Sequence, residues 1–329
     1  MELSSLGLGS YLGSPDDPTD QAYAVAAGAF LDGGGTVLDT AANYRQGRSE
    51  RALGKALRGR ARADFFLSTK VGYLPLSDGT PGEGPRDWFQ RVLAAPGVLA
   101  PEEVVDGCHA MTPRYLDHQL GVGLRALGLG RVDCLHLHNP EHQRPLLGPR
   151  RFDDAVLAAF EACEGFRGEG RIEAYGCATW NGFRVPPEAE DHLSLERLLN
   201  LAEKAGGRNH GFRWIQLPLN LAMPEAFLAP TQAFGGRRMP ILEAAGLAGL
   251  GVQASASIMQ GRILGQLRPE DRAQLGGVTP AQSALQFTRS CPGVATALCG
   301  MASVAHVAEN LGVLPLPKVE PGILRALYC

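Results

Sequence analysis

Four residues that can move or hold a proton stand at, or just after, the ends of three short apolar segments. They are Asp39, Tyr44, Lys70 and His138. Three of them end or directly follow a segment, and Tyr44 comes five residues after Asp39. If the three segments are neighbouring parallel strands, their C-terminal ends share one rim and the four side chains meet there. A carboxylate, a phenol, an ammonium and an imidazole in one place can perform general acid–base chemistry.

The three segments belong to a regular alternation of short apolar runs and longer stretches with helical spacing. The predicted strands are 6–10, 36–39, 65–69, 132–137, 172–176, 214–217, 251–254 and 294–298. The predicted helices are 20–31, 48–58, 113–127, 153–166, 193–204, 237–246, 280–289 and 303–312. Eight βα units predict a closed (βα)8 barrel, the TIM barrel, whereas a doubly wound sheet usually has about six strands. We expect one domain over residues 1–329.

Turn-forming residues predict where helices begin and where loops are long. Thr112-Pro113 and Thr279-Pro280 each place a capping hydroxyl before a proline at the first helical position. Segments 72–100, 139–151 and 181–191 are rich in Gly, Pro or polar residues, and we predict enlarged loops there. Such loops carry the specificity of a barrel enzyme.

Composition narrows the class of protein. Of 329 residues, 45% are hydrophobic and 20% are charged, and the net charge of −3 comes from dispersed side chains. We therefore expect no nucleic-acid or membrane partner. No apolar run approaches the roughly 18 residues that span a bilayer, and the N-terminus lacks the pattern of a secretory leader. Seven cysteines without a C-x-x-C pair predict free, mostly buried thiols and a cytoplasmic location.

Short motifs follow one another along nearly the whole chain. They are Leu6-Gly7-Leu8-Gly9-Ser10, Leu38-Asp39-Thr40-Ala41 with Tyr44, Gly47-Arg48-Ser49-Glu50, Leu53-Gly54, Ser68-Thr69-Lys70, Leu137-His138, Tyr175-Gly176, Ile215-Gln216 with Asn220, and Gly300 with Glu309-Asn310. In their order and spacing these motifs resemble the aldo/keto reductase family. The resemblance implies a barrel that uses NAD(P)H to reduce a small aldehyde or ketone to an alcohol.

The resemblance also implies a role for each of the four residues. Tyr44 is the general acid that protonates the carbonyl oxygen. Lys70 favours the phenolate of Tyr44 and lowers its pKa. Asp39 keeps Lys70 charged and in place, and His138 orients the carbonyl or shares the proton relay.

NADPH is the cofactor that the resemblance implies, with NADH as the alternative. The implied cofactor contacts are Gly9, Ser10, Thr179, Gln216, Ser255, Ser257, Gly261, Gly300, Ser303, Glu309 and Asn310. The chain departs from the family at Ala178-Thr179, where Ser-Asn is usual, and at Ala302, where a basic residue often binds the 2′-phosphate of NADP. Tyr11, Asn139 and Trp180 are the predicted substrate contacts.

Two other functions are compatible with these residues. The first is a nicotinamide-binding subunit that senses redox state with little turnover. The second is a metal-dependent barrel hydrolase built on His136 and His138, which point the same way from one strand. The later predicted strands end without His or Asp. We therefore predict no metal site and expect His136 to be a hydrogen-bonded interior residue.

Overall fold

The computed structural model describes residues 2–328. Within that range ten strands form: β1 (Leu6–Gly9), β2 (Val37–Asp39), β3 (Phe66–Val71), β4 (Val132–His138), β5 (Ile172–Ala178), β6 (Phe212–Pro218), β7 (Gln232–Phe234), β8 (Arg237–Met239), β9 (Gly251–Ser255) and β10 (Val294–Gly300). Eight of them close into a parallel barrel in the order β1-β10-β9-β6-β5-β4-β3-β2. The other two, β7 and β8, pair as an antiparallel hairpin. The predicted (βα)8 barrel is confirmed.

Helices surround the barrel and connect its strands. They are α1 (Asp17–Asp32), α2 (Arg48–Leu57), α3 (Pro85–Phe89), α4 (Pro113–Leu127), α5 (Arg144–Gly168), α6 (Leu195–Gly206), α7 (Glu225–Leu228), α8 (Ile241–Leu247), α9 (Pro269–Leu275), α10 (Pro280–Ser290), α11 (Val304–Leu311) and α12 (Pro321–Ala326). A large apolar core lies between strands and helices, as their buried faces require. Within residues 2–328, no helix is long and apolar enough to cross a membrane.

The starts of two helices test the predicted caps. At α10 the Thr279 hydroxyl accepts a hydrogen bond from the Gln282 amide at 3.3 Å, as predicted. At α4 the predicted cap is wrong, because the Thr112 hydroxyl makes no capping bond. That helix still begins at Pro113, whose ring presets a helical φ, and it ends at Gly128 in the left-handed conformation (φ 69°).

All eight predicted barrel strands are present, and their ends differ from the predicted ones by at most two residues. The last barrel strand, β10, shows why some predicted strands end too early. β10 continues two residues past the predicted end, to Gly300, which pairs with Gly9 of β1. Neighbouring strands supply those hydrogen bonds, so the end of an apolar run does not mark the end of a strand.

The predicted loops are only partly loops. Segment 72–100 contains α3 and a π-helical turn, Gln90–Ala94, over a small apolar cluster that includes Trp88 and Leu93. Segment 139–151 is largely helical, because the 3-10 turn Pro140–Gln143 runs into α5. The helix predicted over 237–246 is wrong at its start, where Arg237–Met239 pairs with β7. Segment 181–191 is irregular.

Candidate active site

A buried ion pair lies at the C-terminal rim of the barrel. Lys70 of β3 donates from Nζ to Asp39 Oδ2 at 2.6 Å and to the Thr40 carbonyl oxygen at 2.9 Å. Both charged side chains are at most 5% exposed. The other oxygen of Asp39, Oδ1, accepts from Ser68 Oγ at 2.7 Å and from Gln216 Nε2 at 2.9 Å. Each charge is therefore compensated, as burial at this depth requires.

Tyr44 lies directly over this ion pair. Lys70 Nζ is 4.8 Å from the centre of the Tyr44 ring. The ring also meets Tyr11 and His138 edge to face, with centroids 5.0 and 5.7 Å apart. The structure thus brings together all four residues that the sequence predicted to be catalytic.

The acidity of Tyr44 differs from the expectation. Burial raises the pKa of Tyr44 above its usual value, and the nearby Lys70 ammonium opposes that rise without overcoming it. Lys70 acts on this pKa in the expected direction, but the pKa is raised overall because removal from water disfavours the phenolate more strongly. Although burial lowers the pKa of Lys70, the Asp39 carboxylate and Tyr44 outweigh it and raise that pKa overall. The pair is a neutral phenol beside a charged ammonium.

His138 ends β4 and faces Tyr44 as a neutral imidazole. Burial, and then the positive charge of Lys70, holds the pKa of His138 well below its usual value. Its Nδ1 is buried without a hydrogen-bond partner. A neutral imidazole has one N–H to donate and one nitrogen that accepts. His138 can therefore orient a polar group that binds next to its ring.

A polar network inside the barrel supports the ion pair. Gln253 of β9 accepts at Oε1 from His136 Nε2 (2.8 Å) and Gln216 Nε2 (3.0 Å), and it donates from Nε2 to Ser68 Oγ (3.2 Å). Gln253 was not predicted from the sequence, although a glutamine within the apolar run Gly251–Ser255 was the available signal. His136 is hydrogen-bonded in the barrel interior, as expected.

A cavity of about 790 Å³ opens at this rim. It is lined by 16 of the 18 residues that were assigned to catalysis, cofactor or substrate: Gly9, Ser10, Tyr11, Asp39, Tyr44, His138, Asn139, Thr179, Trp180, Gln216, Ser255, Ser257, Gly261, Gly300, Glu309 and Asn310. The two residues that do not line the cavity are Lys70, which is buried and bonded to Asp39, and Ser303. The Ser303 hydroxyl instead accepts from the His306 amide and caps α11.

Two residues besides the three predicted substrate contacts shape the substrate side of the cavity. Tyr73 lines it, with its ring 5.1 Å from that of His138. Glu141 Oε1 accepts from the backbone amides of Trp180 (2.6 Å), Asn181 (3.1 Å) and Gly182 (3.4 Å). Burial raises the pKa of Glu141 to about 7, against the effect of those amides. This carboxyl fixes Trp180, whose side chain is half exposed, over the cavity.

The metal-hydrolase alternative lacks a ligand set. Within the described chain, residues 2–328, the group of three side chains placed to hold a metal ion is Asp106, Cys108 and His142. It includes neither His136 nor His138. His136 Nε2 is already bonded to Gln253.

Comparison with known proteins identifies the family of the chain. The family model "Aldo/keto reductase family" matches residues 5–194. Over 159 residues the chain is 33% identical to D-threo-aldose 1-dehydrogenase of a Pseudomonas species; the match covers 48% of this chain and 43% of that relative, so it spans less than half of the relative's length. Over 320 residues it is 24% identical to a Schizosaccharomyces pombe protein provisionally named voltage-gated potassium channel subunit beta, covering 90% and 80% of the two chains.

Solved structures show the same fold. An aldo/keto reductase from Klebsiella pneumoniae in complex with NADP and acetate superposes with a TM-score of 0.67 at 22% identity, covering 99% of this chain and 90% of that one. The family model matches more than half of this sequence, and the eight strands close into the corresponding barrel. The chain therefore belongs to the aldo/keto reductase family of NAD(P)-dependent oxidoreductases.

Proposed function

We propose that this protein reduces an aldehyde or ketone to an alcohol with NADPH, and that Tyr44 donates the proton. The observation that carries the proposal is the position of Tyr44, over the buried Asp39–Lys70 pair and beside His138 at the rim of the cavity. A phenol that stays protonated at neutral pH is a proton donor for carbonyl reduction. Its raised pKa keeps Tyr44 in the protonated form that reduction needs, whereas the reverse oxidation needs phenolate.

Each of the four residues has a separate role in the proposed reduction. Tyr44 gives its proton to the carbonyl oxygen, and the Lys70 ammonium stabilises the phenolate that remains. Asp39 holds Lys70 charged, and the neutral His138 donates a hydrogen bond that orients the carbonyl. The apolar walls formed by Tyr11, Tyr73 and Trp180 suit a small organic substrate.

The residues along the rest of the cavity fit a dinucleotide. Asn310 lines the cavity, and its buried Oδ1 has no hydrogen-bond partner, as expected of a group that accepts from a ligand. In the loop after β9, Ala256, Met259 and Gln260 have left-handed φ values of 54°, 45° and 57°. Such strain in non-glycine residues is typical of ligand-binding loops. This loop, Gln216 and Asn310 would hold NADPH, which would supply the hydride when bound.

The test is the loss of reduced-nicotinamide absorbance with NADPH and NADH in parallel, across a panel of aldehydes and ketones. We expect Tyr44→Phe to lower kcat by about 10²- to 10⁴-fold, the usual contribution of a general acid. NADPH affinity, measured by fluorescence, should change less than twofold. The matched control is Tyr11→Phe, which removes a hydroxyl from the neighbouring ring of the same cavity. Tyr44→Phe at near-wild-type kcat would show that another group donates the proton.

A second candidate is a nicotinamide-binding subunit with little turnover. The similarity to a protein provisionally named a channel beta subunit favours it. The complete set of four residues at the rim favours the reductase. Tight NADPH binding without consumption by any carbonyl in the panel would favour the binding subunit.

A further inference from the structure

Three metal-ligating side chains meet beside the cavity, outside the candidate active site. Asp106 and Cys108 lie in the connection between the π-helical turn and α4, and His142 lies in the turn after β4. Their candidate ligand atoms all lie within 4.8 Å of one another. His142 Nε2 and Asp106 Oδ2 are already 2.9 Å apart. The proposed reduction uses none of the three.

We propose that Asp106, Cys108 and His142 form a binding site for a divalent cation of the zinc type. Carboxylate oxygen, thiolate sulfur and imidazole nitrogen are all zinc ligands, and the sulfur and nitrogen select against magnesium and calcium. Tetrahedral zinc, with bonds of about 2.0–2.3 Å, holds its ligand atoms about 3.3–3.6 Å apart. The Asp106 and His142 ligand atoms, now 2.9 Å apart, need to separate by only a few tenths of an ångström, and the Cys108 sulfur, within 4.8 Å of both, needs to approach by at most about 1.5 Å.

The backbone already holds Cys108 beside the other two residues. The Leu74 amide donates to the Cys108 carbonyl oxygen at 2.8 Å, and the Cys108 amide donates to the Val105 carbonyl oxygen at 3.2 Å. The Val105 amide in turn donates to His109 O at 2.8 Å, which closes the turn around Asp106. Asp106 itself has a left-handed φ of 51°. A non-glycine residue held in this region indicates a constrained turn.

Charge and solvent access favour a reversible site. A carboxylate and a thiolate together balance the charge of one divalent cation. Cys108 is partly buried, and burial followed by the Asp106 carboxylate raises the pKa of its thiol, so binding releases this proton to solvent. Three protein ligands leave one tetrahedral position for water. Asp106 is exposed, so the metal can enter and leave from solvent.

The second ring nitrogen of His142 links this site to the substrate side of the cavity. His142 Nδ1 is 2.9 Å from the hydroxyl of Tyr73. Without metal, in the tautomer that donates from Nε2 to the Asp106 carboxylate, Nδ1 accepts from Tyr73. With metal on Nε2, the ring proton moves to Nδ1, which then donates to the Tyr73 oxygen. The Tyr73 proton is thereby freed to bind an acceptor in the cavity.

The first experiment is a titration of the purified protein with Co²⁺ alone, a spectroscopic substitute for zinc. We expect one ion per chain, the visible bands of tetrahedral cobalt and a near-ultraviolet thiolate-to-cobalt band. Cys108→Ser should remove the thiolate band, and His142→Gln should weaken binding at least tenfold. The matched controls are His118→Gln, a partly buried histidine of α4, and Cys329→Ser; neither should change the titration. Circular dichroism checks that every variant is folded.

The proposal is wrong if the thiolate band is absent, if it survives Cys108→Ser, or if the controls lose as much affinity as the ligand variants. The link to Tyr73 has its own test in ¹⁵N spectra of the His142 ring, with Zn²⁺ as the added metal. Zinc should convert Nδ1 from an acceptor to a protonated donor, and an unchanged Nδ1 would overturn the link. Neither test needs turnover, so their results are separate from those of the reductase assay.

Discussion

The Asp39–Lys70 pair predicts an asymmetry in stability between two single substitutions. Asp39→Asn leaves a buried ammonium with the Thr40 carbonyl oxygen but without a countercharge. Lys70→Met leaves a buried carboxylate whose Oδ1 still accepts from Ser68 and Gln216. Because the carboxylate keeps two donors and the ammonium keeps no anion, we expect Asp39→Asn to be the more damaging change.

The sizes follow from what each variant loses. Leaving one charge of a buried pair unpaired costs about 3–5 kcal/mol, and we expect Asp39→Asn to lose that much free energy of unfolding. Lys70→Met removes the hydrogen bonds from Nζ to Asp39 Oδ2 and to the Thr40 carbonyl oxygen, and the charged bond at Oδ2 is worth about 1.5–3 kcal/mol. The double variant Asp39→Asn/Lys70→Met carries neither charge. It should be more stable than Asp39→Asn alone, so the two effects are not additive.

The pH dependence of Asp39→Asn has a definite sign. In the wild type the pKa of Lys70 is raised, so its stabilising effect is complete below the unfolded pKa and declines only as the pH rises through the raised value. Without the Asp39 carboxylate, we expect burial, the largest effect on that pKa, to outweigh Tyr44 and lower it. The unfolded state then binds more protons than the folded state, and stability increases with pH. The deficit of Asp39→Asn relative to wild type should therefore shrink between pH 7 and pH 9.

Urea unfolding measured in parallel by tryptophan fluorescence and circular dichroism gives the three free energies. The matched control is Arg91→Met, which removes a cation from surface ion pairs at Asp78 and Glu83 and should change the free energy of unfolding little. If Lys70→Met proves less stable than Asp39→Asn at pH 7, the assignment of the charge balance at the rim is wrong. The same assignment is refuted if the loss of unfolding free energy in Asp39→Asn, relative to wild type, grows as the pH rises.

Two further predictions concern the packing and titration of the fold. Gly54→Ala should destabilise the protein by about 1–3 kcal/mol, because the new Cβ would lie 2.5 Å from the Ala126 carbonyl oxygen. Gly165→Ala has open space around the new Cβ inside α5 and should stabilise the protein by about 0.5–1 kcal/mol. Thermal melts compare the two variants, and equal melting temperatures would contradict this packing. Burial raises the pKa of Glu50 to about 7, so the wild type loses stability as pH rises from about 4.5 through 7. Glu50→Gln should therefore gain stability relative to wild type at pH 8 compared with pH 5, and Glu161→Gln, at an exposed position, should not.

The sequence predicted the rim because its residues follow a local rule. Asp39, Lys70 and His138 each stand at the end of an apolar run, and parallel strands bring such ends together. Tyr44 follows Asp39 by five residues and so lies on the loop beside them, and the resemblance to a known family then implied a role for each residue. These predictions needed only the order of elements along the chain, which apolar spacing reveals.

Other features depended on contacts between distant segments. The net direction of the Tyr44 pKa was missed because it is a balance between burial and charge, and burial is set by the whole rim. The role of Glu141 depends on its position beside a loop about 40 residues away. Asp106, Cys108 and His142 meet only because the connection before α4 packs against the turn after β4. The spacing of residues within one segment cannot predict contacts between two segments.

The anchoring of Trp180 by Glu141 bears on how this enzyme could acquire new substrates. The loop after β5 is closed at its base, where the Leu193 amide donates to the Gly182 carbonyl oxygen at 2.6 Å. Residues before that closure are bonded to the Glu141 carboxylate. Beyond Gly182, Phe183 is buried in the core and Arg184 donates from Nε to the Trp180 carbonyl oxygen at 3.0 Å, so the outer part of the loop is 186–190. Insertions or deletions in this outer part can reshape the cavity entrance while Trp180 keeps its place. Variation in the loop length is thereby uncoupled from the rim, and a laboratory library confined to 186–190 would explore specificity while preserving Tyr44, the proposed proton donor.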